Sequence, residues 1–110
     1  MFNIDNGNVK ITRGDTGIIA IVLQNSDGSE YEVQTNDILL MTVKLNTLTK
    51  DVLIQKQFAD GQVKIEPVDT DNLSYGTYYY DVQLTTAAGD VFTVIPPHKF
   101  EIMPEVTWNE

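Results

Sequence analysis

Cysteine is absent from the 110 residues, which removes disulfides, thiolate nucleophiles and thiolate-held zinc or iron–sulfur sites from consideration. Histidine occurs once, at His98. A catalytic imidazole needs a nucleophile or an orienting group beside it in space, so a structural or solvated role is the simpler reading. Basic residues are scarce: seven Lys and Arg against sixteen Asp and Glu leave a formal net charge of −9. Such a field repels phosphate and gives counterion release little to work with, so nucleic acid is a poor partner. Long apolar runs are missing too. The longest covers residues 18–23, far short of the roughly 20 residues that span a bilayer, and the first ten residues lack a basic start followed by an apolar stretch. The chain therefore reads as soluble and unprocessed, with no signal peptide, no transmembrane segment and no membrane partner.

What remains is ordinary globular usage, 42% hydrophobic and 21% charged, in a length that builds one core; residues 1–110 read as a single domain. The apolar residues keep the period of strands. Val9 and Ile11 alternate with Lys10 and Thr12; Ile19, Ile21 and Leu23 share a face; Leu39, Met41 and Val43 alternate with Leu40, Thr42 and Lys44. Val63 and Ile65, then Tyr78, Tyr80, Val82 and Leu84, then Phe100 and Ile102 repeat the pattern. One wet face per strand suits antiparallel sheets. Asn6-Gly7, Gly14-Asp15, Asp27-Gly28, Asn36-Asp37, Asp60-Gly61 and Gly89-Asp90 supply turn chemistry between the runs. Seven to eight strands follow. Residues 67–76 do not alternate; Asp69 or Thr70 is placed to cap a single helical turn that Gly76 stops. Pro96-Pro97 cannot donate to a ladder, so residues 91–102 are expected to break into two strand pieces at a bulge or an edge.

The most specific local signal is Leu73-Ser74-Tyr75-Gly76-Thr77-Tyr78. A Leu, a Gly-containing turn and a Tyr at the start of a strand form a tyrosine corner, in which the hydroxyl bonds backbone a few residues upstream and pins a crossover between sheets. Leu73, Gly76 and Tyr78 are its members. The expectation is an all-β, immunoglobulin-like antiparallel β-sandwich with a Greek key and no disulfide, with a small barrel as the competitor. Tyr80 stands where antibody domains place their second Cys, and the strand that carries Met41 has no Trp, so the lineage is not that of antibodies.

Several candidate sites compete with plainer readings. Arg13-Gly14-Asp15 spells the tripeptide read by integrins, but Gly-Asp between two strand runs is what a tight turn requires, with Arg13 on the solvent side. A helix–loop–helix calcium loop starting at Asp69 would need Gly at position 74 and Glu at position 80, where Ser74 and Tyr80 stand. No catalytic, cofactor or metal residue is assigned. With Tyr78 and Tyr80 pointing in, Tyr79 points out beside Asp81 and Gln83, a ring with hydrogen-bonding neighbours that suits a sugar or a partner surface; Tyr31 and Tyr75 are candidates to join it. Val106 and Trp108 follow Pro104, and an aromatic anchor in a terminal segment suits a subunit or partner contact, including a homo-oligomer, with a final strand packing Trp108 on its own domain as the alternative.

Residues 10–16 (Lys-Ile-Thr-Arg-Gly-Asp-Thr), 38–44, 54–56, Ile65-Glu66-Pro67 with Asp69-Thr70 and Leu73, and residues 76–82 (Gly-Thr-Tyr-Tyr-Tyr-Asp-Val) together resemble the N-terminal immunoglobulin-like domain of baseplate upper proteins of phages and prophages of Gram-positive bacteria. There an RGDT-like element opens a strand and a P-x-DT-x-x-L-x-x-G-x-Y-x-YD crossover leads into another. The family usually continues into a second, host-facing region, whereas this chain ends at Glu110. The resemblance implies a non-catalytic structural module that docks to other tail or baseplate proteins. It would have no substrate or cofactor and would be located in the virion after assembly in the bacterial cytoplasm. The competing class is a cell-surface carbohydrate-binding or adhesion module, since fold does not fix function.

Overall fold

The computed structural model describes residues 3–5, 7–25 and 27–106. Ten strands and one helical turn follow in the order β1 (Asn3–Asp5), β2 (Asn8–Thr12), β3 (Gly17–Ala20), β4 (Leu23–Gln24), β5 (Glu30–Tyr31), β6 (Ile38–Lys44), β7 (Ile54–Gln57), β8 (Gln62–Ile65), α1 (Pro67–Thr70), β9 (Gly76–Thr85) and β10 (Val91–Met103). The described residues are all-β apart from that turn. Six strands form one sheet in the order β1-β2-β10-β9-β6-β7, while β3 pairs with β8 and β4 with β5 in two-stranded ladders. All the pairings are antiparallel except β2 with β10, which is parallel from Phe100↔Val9 to Met103↔Thr12.

Alternation along the strands decides which side chains meet. The inward set of the large sheet, Val9, Ile11, Leu39, Met41, Val43, Ile54, Tyr78, Tyr80, Val82, Leu84, Phe100 and Ile102, joins Ile19, Val63 and Ile65 from β3 and β8 in one buried cluster. The side chains between them on β6 and β9 face outward. At the turn joining β7 to β8, Asp60 and Gly61 both take positive φ, 54° and 75°, the two-residue geometry whose twist matches the strands it connects.

Three expectations need correction. The described residues form ten strands, against seven to eight, because β1, β4 and β5 are ladders of two or three residues that leave no periodicity to read. The run through Ile19, Ile21 and Leu23 is accordingly two strands, with Ile21 N–H turned to the Gly61 carbonyl (3.0 Å). The helical turn is entered at Glu66, whose N–H donates to the Asp69 carboxylate (2.7 Å), and it ends at Thr70; Gly76 opens β9 and does not stop the turn. The segment with Pro96 and Pro97 remains one strand, β10, in which register shifts fall between Thr93 and Ile95 and between Ile95 and His98. Both prolines are tolerated because β2 pairs with β10 only from Phe100 onward, so at Pro96 and Pro97 one side of the strand has no ladder to complete.

Candidate functional site

Two constellations outside the core carry chemistry, and the first is built around Arg13. Thr12-Arg13-Gly14-Asp15 closes a turn through Asp15 N–H on the Thr12 carbonyl (3.0 Å), with Gly14 at φ 84° where a turn of this kind demands a positive value. The turn aims Arg13 across the molecule. Its Nη2 donates to Glu105 Oε1 at 2.7 Å and its Nε donates to the same carboxylate at 3.0 Å. Nη1 reaches the Leu73 carbonyl at 3.4 Å. Tyr75 completes the group: its hydroxyl accepts from Arg13 Nη2 (3.0 Å) and donates to Glu105 Oε1 (2.8 Å), and the guanidinium carbon lies 4.4 Å from its ring centre. The side chains of Arg13 and Glu105 are only 14% and 11% exposed, so Arg13 is not the solvated strand end that its position in the sequence implied.

Hydrogen bonding from Arg13, then from Tyr75, holds the Glu105 carboxyl below the usual range, while the Glu105 carboxylate raises the Tyr75 hydroxyl. Beside this junction Gly14 N–H donates to the hydroxyl of Thr70 (2.8 Å), a residue with no exposed surface, and Tyr78, 6% exposed, donates its hydroxyl to the Ser74 carbonyl (2.7 Å). The residues of the tyrosine corner and of the Arg-Gly-Asp triplet thus converge on one place. Asp69, the first residue of the discarded calcium pattern, binds Lys56 Nζ at 2.8 Å as well as Glu66 N–H.

The second constellation is a shallow groove of about 290 Å³ on the outward face of the large sheet. Cross-strand register supplies its floor: Lys44↔Tyr79, Thr42↔Asp81 and Leu40↔Gln83 between β6 and β9, and Thr42↔Gln55 between β6 and β7. Asn46, Thr47 and Val52 from the loop after β6, together with Pro97 from β10, raise its walls. Tyr79, Asp81 and Gln83 are therefore brought together as alternation implied. Gln55 is held by a bond from its Nε2 to Thr42 Oγ1 (3.1 Å).

Tyr31 and Tyr75 do not join the groove. Tyr31 donates to Asp37 (2.6 Å), whose carboxyl is lowered by that bond and by Gln34 N–H, and Tyr75 is committed to Arg13 and Glu105. His98 is half-buried, with Nδ1 2.6 Å from the Pro96 carbonyl and its ring centre 6.3 Å from that of Tyr80.

Val106 is 95% exposed directly after Glu105; Trp108 lies outside the described residues. The sequence reading missed a further surface, the loop of residues 45–53, where Leu45, Leu48, Val52 and Leu53 are all exposed, Leu48 at 91%. Four aliphatics within nine residues and outside any strand alternation were the available signal. Among the described residues no three metal-ligating side chains gather and no helix is long and apolar enough to cross a membrane. No family model, curated protein or solved structure matches the chain.

Proposed function

We propose that the chain is a non-catalytic assembly module of a phage or prophage tail baseplate, with an immunoglobulin-like Greek-key sandwich as its scaffold. The observation that carries this reading is the convergence of the resembling motifs on one junction: the RGDT element and the 67–78 crossover meet where Arg13 binds Glu105 and Leu73, and Gly14 binds Thr70. Those motifs serve to hold a fold, as they would in a structural family, and Arg13 is engaged within its own chain and not presented as an adhesion ligand. The sheet order supports the fold half of the reading. With β3 and β8 as strands B and E, and β10, β9, β6 and β7 as G, F, C and C′, the large sheet runs G-F-C-C′ and the tyrosine corner opens F.

In this reading docking falls to the exposed aliphatics Leu45, Leu48, Val52 and Leu53, four within nine positions, because apolar surface exposed in one place marks an interaction site. Val106, exposed directly after the Glu105 that Arg13 clamps, is a second contact in this reading. The reading places the protein in the virion. Its first test is the gene neighbourhood: flanking genes for tail proteins are expected, and a locus of surface-adhesion or metabolic genes would overturn it.

A further inference from the structure

We propose that the outward groove around Tyr79 binds a short neutral oligosaccharide, a capacity beyond the assembly role and one that uses no residue of the Arg13–Glu105 junction. The chemistry of the lining points to this class of ligand. Tyr79 supplies an aromatic ring, half-buried in the groove, on which the apolar face of a pyranose can lie. Around it stand the groups that read hydroxyls: a carboxylate at Asp81, amides at Gln83, Gln55 and Asn46, and hydroxyls at Thr42 and Thr47.

Among the described residues, the side chains of Asp81, Gln83 and Lys44 and the Tyr79 hydroxyl make no hydrogen bond or ion pair and are not buried without a partner, so their donors and acceptors are available to a ligand. Gln55 is already oriented by its bond to Thr42. Because β6, β7 and β9 are paired strands, these side chains project from a rigid floor and little ordering is lost on binding. A volume of about 290 Å³ lies at the small end of ligand sites and suits one or two sugar rings.

Other ligand classes fit less well. Among the described residues, Lys44 and Asp81 are the only charged ones lining the groove and balance one another, in a chain of net charge −9, so neither a phosphate-bearing nor a strongly cationic ligand is favoured. A peptide added as a strand would pair at the β7 edge of the sheet and lie beside Tyr79, not over it, because β6 and β9 are each paired on both sides.

The test uses the full chain on an array of neutral glycans. Chitotriose, maltotriose, N-acetyllactosamine and the best array hit are then titrated while amide shifts are followed by NMR. At least one glycan is expected to bind saturably, with shifts concentrated at residues 40–44, 55 and 79–83. Tyr79→Ala should weaken that binding about tenfold or more, with Tyr79→Phe retaining most of it and Gln83→Ala intermediate; an unchanged thermal melt in each variant shows that the fold survives. No binding on the array, saturable shifts away from the groove, or affinity unaffected by Tyr79→Ala would overturn the proposal. The assembly reading shares the loop of Asn46, Thr47 and Val52 with the groove's walls, so it is tested separately, through the gene neighbourhood and through Leu48, which does not line the groove.

Discussion

Arg13 and Glu105, 92 residues apart in sequence, close an ion pair of 2.7 Å with both side chains largely shielded from water. The pair ties the turn after β2 to the segment after β10, so the parallel ladder between those strands ends in a clasp. Tyr75 brings the start of β9 into the same clasp through its contacts with both partners.

That clasp should be acid-labile. Glu105 has its carboxyl lowered in the folded state, first by the bond from Arg13 and then by Tyr75, so the unfolded chain binds a proton more readily than the native one. Its contribution to stability is present above the unfolded carboxyl pKa and is lost as pH falls through the lowered folded value. Melting curves of the parent and of Glu105→Gln, taken from neutral pH into the acid range, should show a lower Tm for the variant at neutral pH and a difference that shrinks on acidification. A difference independent of pH would contradict the assignment. Asp37, lowered by Tyr31, adds acid sensitivity of the same sign to both proteins and cancels in the comparison.

Thr70→Val keeps the volume of a fully buried side chain but leaves Gly14 N–H without its acceptor. The loss should be about 1–3 kcal/mol in urea denaturation with an unchanged slope. Thr70→Ser, which restores the hydroxyl, should recover most of it.

At the adjacent tyrosines the same substitution should have opposite outcomes. Tyr78→Phe removes the donor to the Ser74 carbonyl and should cost about 1 kcal/mol. Tyr79→Phe, on the outward face, should stay within about 0.5 kcal/mol of the parent. Equal denaturation midpoints for the two variants would remove the corner from the account.

Gly7→Ala combines two penalties. Gly7 has φ 85°, and a Cβ there would stand 2.7 Å from the His98 ring. The expected loss exceeds about 1 kcal/mol, and the His98 ring resonances should shift in the NMR spectrum of any variant that remains folded.

Local features were readable in the sequence and distant ones were not. The inward positions of β9 follow from alternation within ten residues, and the bond from Tyr78 to Ser74 spans only four; both are set by chain-local geometry. Two-residue strands such as β4 and β5 have no period, and their pairing depends on the intervening loop. The partner of Arg13 could not be read because Glu105 reaches it only after β10 has paired in parallel with β2. Tyr79, Asp81 and Gln83 were identifiable as one outward row. The groove was not, because its walls come from residues 46, 47, 52 and 97, which only the folded sheet brings beside them.

The assembly role is tested most directly by mass. The chain is co-expressed with the products of its flanking genes and the purified material is examined by size-exclusion chromatography with light scattering, beside a Leu48→Asp variant whose thermal melt matches the parent. The account predicts a stable complex of defined stoichiometry that Leu48→Asp weakens, with Leu48 buried at the contact. A chain that elutes alone at its monomer mass whichever neighbour is supplied, or a complex indifferent to Leu48→Asp and to the other exposed residues of the 45–53 loop, would contradict it.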